Sequence, residues 1–135
     1  MSSALSEETL YLAKAEESLE SAVSELANRR YKSCANRCYY ACFQAAIAAL
    51  LRAGIRPSGA RHDWPHPFVQ GQFNGQFVNR RHLYPSELRT VLPELQGLRH
   101  SADYDPDPVT ETEAARALRR ARRFVEAIRQ GEGVR

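Results

Sequence analysis

Cys34-Ala-Asn36-Arg37-Cys38-Tyr39-Tyr40-Ala-Cys42-Phe43-Gln44-Ala-Ala46-Ile47-Ala-Ala49-Leu50-Leu51 is a run of 18 residues with no acidic side chain and a single arginine. It is too long for an ordinary strand, and Asn36, Arg37, Gln44 and two tyrosines make it too polar to sit in lipid. Ala35, Cys38, Cys42, Ala46 and Ala49, with Ala53 beyond them, share one helical side, while Tyr40, Phe43, Ile47 and Leu51 share another. A helix over about 32–53 that is apolar nearly all round belongs at the centre of its fold. Gly54 is placed to end it as the left-handed residue after the C-cap. The small side admits a close neighbour, so it is expected to pack on the preceding helix, with further helices or a second subunit on the other side.

Upstream, Ser6 reads as an N-cap with Glu7 and Glu8 in the first turn, and Leu12, Leu19, Val23 and Leu26 repeat at helical spacing. A first helix over about 6–29 follows, solvated on its Lys14, Glu16, Glu17, Glu20 and Glu25 side, and Arg29-Arg30-Tyr31 breaks it. Downstream, Pro57, Gly59, Pro65 and Pro67 punctuate a loop before Phe73 and Phe77, which predict a short helix near 67–79. Ser86 reads as the cap of a fourth helix running through Leu88, Val91, Leu92, Leu95 and Leu98 to about Asp103, with a kink at Pro93. Asp105-Pro-Asp-Pro108 is a stiff linker, and Thr110 with Glu113 is a capping-box signature for a last helix over about 110–130, ended by Gly131. No stretch alternates with period two. The reading is a single all-α domain over 1–135, an up-and-down bundle of four to five helices with its core in about 6–130.

The chain has 135 residues, 43% hydrophobic and 26% charged, which excludes a second core and a disordered or low-complexity chain. Met1 to Glu8 has neither the basic nor the apolar region of a secretory signal, and Cys34, Cys38 and Cys42 are an odd set along one helix face. Both point to a reducing, cytoplasmic setting, with no membrane partner. A zinc site needs four converging ligands, and these cysteines have no CxxC pair or nearby histidine, so small-residue packing is expected and no metal or cofactor. Net charge is only +3, yet 17 of the 19 basic residues are arginine, the side chain suited to bidentate phosphate contacts.

Asn36-Arg37-Cys38-Tyr39-Tyr40-Ala41 in the central helix, with Arg99-His100-Ser101-Ala102-Asp103-Tyr104 downstream, resembles the HEPN family (higher eukaryotes and prokaryotes nucleotide-binding). The likeness is to its small stand-alone proteins with an Asn-Arg-x-Tyr-Tyr-Ala helix and an Arg-x-x-x-Asp-Tyr ending. It covers about residues 8–130, with Ala60-Arg61-His62 at the family's midchain histidine and Phe73 to Val78 at its aromatic segment. The resemblance implies a HEPN-like helical bundle that forms a homodimer, in a superfamily of metal-independent RNases and toxin partners of minimal nucleotidyltransferases. In the RNase motif an arginine steadies the scissile phosphate and a histidine, after four to six intervening residues, moves the proton. Arg99 matches the arginine, but positions 104–106 are Tyr, Asp and Pro, so the histidine is missing. Arg56 with His62 and Arg61 with His66 have the spacing but precede the third helix, where the family does not keep its motif.

Two readings of function therefore stand beside a third, a purely structural interaction module. One is a helical binding partner of a nucleotidyltransferase or of RNA without turnover, and the other a divergent RNase using Arg99, Asp103 and Tyr104 at a dimer interface. Arg99 and Asp103 also read as a structural i,i+4 pair reaching toward Arg37 or Tyr40. Asn36, Arg37 and Tyr40 interrupt a buried helix and are candidate binding residues, Arg37 as one member of a buried pair. His62 is a further binding candidate, while His62 and His66 beside Trp64 otherwise read as ordinary surface residues. Arg116, Arg120 and Arg123 lie on the last helix among Glu111, Glu113 and Glu126; they read as a solvated basic face, or as one that could follow an RNA backbone or meet an acidic protein.

Overall fold

The computed structural model describes residues 3–58, 63–80 and 84–131, with side chains from residue 7 onward and none for 79 and 80. Five α-helices follow one another: α1 (Ser3–Ala27), α2 (Tyr31–Arg52), α3 (His66–Gln72), α4 (Val91–Tyr104) and α5 (Glu111–Arg129). A π-helical segment, Phe73–Arg80, continues α3, and a 3-10 turn, Ser86–Thr90, leads into α4. No strand occurs among the described residues.

α2 is the axis of the bundle and packs against α1, α3, α4 and α5. Along it Cys34, Cys38, Tyr39, Cys42, Ala46 and Leu50 are fully buried, and Phe43, Ile47 and Leu51 nearly so. Its apolar residues are thus covered within one chain, by further helices, the first of the two partners expected for that side. The cysteine side also meets more than α1, because Cys34 Sγ lies 3.9 Å from the Ala114 carbonyl of α5. Cys34 and Cys38 sulfurs are 3.9 Å apart, and burial pushes the Cys42 thiol up, so this row is packing material. Phe73 joins the π segment to the rest of the core, with its ring 5.0 Å from Phe124 and 5.4 Å from Tyr84.

Helix ends follow local chemistry. Past α2, Gly54 adopts φ 78, its N–H bonds the Leu51 carbonyl, and that of Ile55 bonds Leu50, the paired bonds of a left-handed C-terminal turn. The expected capping box opens α5, with Glu113 N–H on Thr110 Oγ1 at 3.1 Å and Thr110 N–H on Glu113 Oε1 at 2.9 Å. Gly131, at φ 73, follows its last turn. Two expected caps are corrected. α1 begins at Ser3, so Ser6 lies inside it, and the turn before α4 follows Pro85, with Ser86 inside that turn and making no capping bond. α3 opens at His66, after Pro65, one residue before the expected start. Arg52 ties three helices together: Nε is 2.6 Å from Glu8 of α1 and Nη1 donates to the Ile128 carbonyl of α5 at 3.2 Å.

Candidate functional site

The polar residues of α2 lie toward its start, and α3 and α4 bring partners to them. Arg99 of α4 is half-buried, with its guanidinium carbon 5.2 Å from the Tyr39 ring centre and 5.4 Å from that of Tyr40. Arg37 stands one turn before Tyr40 with its guanidinium carbon also 5.4 Å from the Tyr40 ring. Arg37 donates to Asn36 Oδ1 from Nη2 at 2.7 Å and from Nε at 3.2 Å. Among the described residues neither arginine has a carboxylate partner, and Arg99 Nε is buried with no acceptor.

His66, at the start of α3, completes the cluster. The loop before it is held by Trp64, whose ring meets Tyr11 of α1 at 6.3 Å and Phe68 at 6.4 Å. The imidazole stacks on Phe43 at 4.2 Å and 18°, and its Nδ1 lies 2.5 Å from the Tyr39 hydroxyl. Gln70, one turn into α3, donates to Gln96 Oε1 of α4 at 2.6 Å and to the Tyr39 hydroxyl at 3.5 Å. Burial, and then the nearby Arg99 charge, hold His66 below the usual imidazole range. Burial likewise pushes the Tyr39 phenol up to about 12, against the opposing pull of the Gln70 bond and Arg99. The Tyr39 phenol and the His66 imidazole are therefore neutral at pH 7. Two uncompensated guanidiniums on an aromatic floor, beside an imidazole, can receive an oxyanion.

Of the sequence candidates, Asn36, Arg37, Tyr40 and Arg99 come together here. Asp103 and Tyr104 do not. Both are exposed, Tyr104 by 75%, and Tyr104 packs on His100 at 4.7 Å. The expected Arg99–Asp103 pair is absent among the described residues, because Arg99 turns to the tyrosine faces while Asp103 stays in solvent. Arg37 is half-buried with a neutral partner, which corrects its assignment to a buried pair. His62 lies outside the described residues. On α5, Arg120 is 2.7 Å from Glu94 and donates to Thr90 Oγ1 at 3.0 Å, and Arg123 is 2.7 Å from Glu87, so both are engaged by the 3-10 turn and α4. Arg116 borders a groove of about 210 Å³ between α4 and α5 with Glu94 and Glu113. Carboxylates of the 3-10 turn, α4 and α5 thus lie among the arginines of this basic face.

His66, Tyr39 and Gln70 join the site although none of them is among the candidates that the sequence marks. Their one local signal was the placement of Tyr39 beside Tyr40 in the motif, and His66 looked like a loop histidine because its partners lie on other helices.

Residues 9–131 match the HEPN domain family. The chain is also 33% identical over 116 residues to a Methanocaldococcus jannaschii protein named "Putative toxin MJ0605", an alignment spanning 86% of this chain and 81% of that one.

Proposed function

The chain belongs to the HEPN domain family, and on that premise we propose that it is a toxin-like member whose Arg99 cluster binds the phosphate backbone of RNA. In this reading it acts as a dimeric helical half of a toxin–antitoxin-type pair, with a minimal nucleotidyltransferase as its protein partner. One observation carries the RNA-binding part: Arg37 and Arg99 share the Tyr40 ring, and among the described residues neither has a carboxylate partner. The dimer and the nucleotidyltransferase rest on the resemblance of the two motifs to the family.

A second reading, a metal-independent RNase, is favoured by a different observation. His66 supplies an imidazole next to Arg99 from another helix, where the motif's own histidine is missing. The test uses purified protein and single-stranded RNA with chelator present. Binding without cleavage, weakened about tenfold or more by Arg99→Ala, is the expected result. Chelator-resistant cleavage that disappears in both Arg99→Ala and His66→Gln would replace the binding reading with the RNase. Loss of cleavage in Asp103→Asn as well would restore Asp103 to the site.

A further inference from the structure

The hydrogen bonds around Tyr39 offer His66 Nδ1 a donor, the Tyr39 hydroxyl. An amide nitrogen can only donate, so Gln70 Nε2 gives its protons to Gln96 Oε1 and to the Tyr39 oxygen. The Tyr39 proton is then free to go to His66 Nδ1, 2.5 Å away. With Nδ1 accepting, a neutral imidazole carries its proton on Nε2. Nε2 has no hydrogen-bond partner among the described residues, and the ring is only half-buried. Stacking on Phe43 and Tyr39 leaves the imidazole little freedom to turn.

We propose that His66 is a direct ligand of the phosphate group, donating Nε2–H to a phosphoryl oxygen that Arg99 also holds. This assignment rests on the phosphate-binding reading above and adds to it a residue outside both sequence motifs. The groups around the ring are Tyr39, Tyr40 and Phe43 of α2, Gln70 of its own helix and the Arg99 charge of α4; no described carboxylate bonds it. An oxyanion there offsets the Arg99 charge that opposes protonation, so binding draws a proton onto His66 and tightens as pH falls. A phosphodiester of RNA and a free nucleotide present the same oxygens. The protein's ligand is expected to be the diester, because Arg37 lies beyond Tyr40 and can take a neighbouring phosphate.

Nitrogen NMR of the imidazole, with inorganic phosphate, a nucleoside monophosphate and an uncleavable 2′-O-methyl oligonucleotide as probes, tests this. The free protein should show the Nε2–H tautomer, and each phosphate probe should shift Nε2 and raise the His66 titration midpoint. Saturation by the oligonucleotide at lower concentration than by the mononucleotide assigns the diester, and the reverse order overturns that choice. His66→Asn should weaken oligonucleotide binding about tenfold, while His66→Gln, whose amide nitrogen reaches the Nε2 position, should keep most of it. An Nδ1–H tautomer, or a midpoint unmoved while the oligonucleotide still binds through Arg99, would overturn the assignment and leave the phosphate reading intact. Failure of the wild-type protein to bind the oligonucleotide at all would remove that reading too.

Discussion

Arg29 sits in the left-handed region at φ 62, where a side chain costs roughly 1–2 kcal/mol and glycine nearly nothing. It holds that conformation because its N–H bonds the Leu26 carbonyl at 3.1 Å and the Arg30 N–H bonds Glu25 at 2.8 Å, closing the end of α1. Arg29→Gly should therefore raise stability by about 1 kcal/mol in urea titration. Arg37→Ala, once the removal of a buried pair, becomes mild: with a half-exposed guanidinium on a neutral neighbour, a loss of about 1 kcal/mol is expected. Tyr39 and His66 give stability two pH flanks. His66 is held below its ordinary 6.5, so the unfolded chain takes the proton first. Stability falls as pH drops through 6.5 and levels off below the folded value. Tyr39 keeps its proton to about 12 while the unfolded phenol ionises near 10, so stability falls again as pH climbs between those values. Urea midpoints measured against pH should lose the acid flank in His66→Gln and the alkaline flank in Tyr39→Phe.

Pro93 lies in the first turn of α4 and cannot donate to the Arg89 carbonyl four residues back. Asn74 of the π segment fills that gap, its Nδ2 donating to Arg89 O at 3.0 Å. This bond fastens the π segment that continues α3 to the 3-10 turn that leads into α4, and those two helices deliver His66, Gln70, Gln96 and Arg99. Asn74→Ala should cost about 0.5–1 kcal/mol by thermal or chemical melting and weaken phosphate binding through the shifted helices. Thr110→Ala removes half of a capping box and should cost about 1 kcal/mol without touching the site. The ends of α2 and α5 were legible because Gly54, Gly131 and Thr110 with Glu113 act within one turn of chain. The start of α4 was not, since a 3-10 turn settled by Pro85, Pro93 and a side chain from another helix decides it. The π segment was equally hidden: Phe73, Phe77 and Val78 are the same apolar residues in an α or a π turn, and only their fit against Tyr84 and Phe124 selects one.

Among the described residues the large hydrophobic side chains left exposed are Leu10, Val23 and Tyr104, and none of them is on α2. A homodimer, expected from the family resemblance, would then associate through surface and not through the core. Light scattering should find twice 15.3 kDa at tens of micromolar, and dilution should halve the mass with helical circular dichroism unchanged. Unfolding on dilution would mean that α2 is shared between subunits after all. No helix of the described residues is long and apolar enough to cross a membrane, as the polar groups of the Cys34 to Leu51 run foretold.

The order of helices, the central place of α2, two of the helix ends it names by glycine and the family motifs all lie within short stretches, where side-chain periodicity and capping act between near neighbours. Those the amino-acid order settles alone. Tertiary packing decided what the motifs touch. It turned Arg99 onto Tyr39 and Tyr40 and away from Asp103, brought His66 from beyond a proline-rich loop to the Tyr39 hydroxyl, and spent Arg120 and Arg123 on Glu94 and Glu87. Stacking and charge contacts between separate helices depend on how the helices are rotated against one another. That rotation is set by the whole core at once, so no local run of residues could carry it.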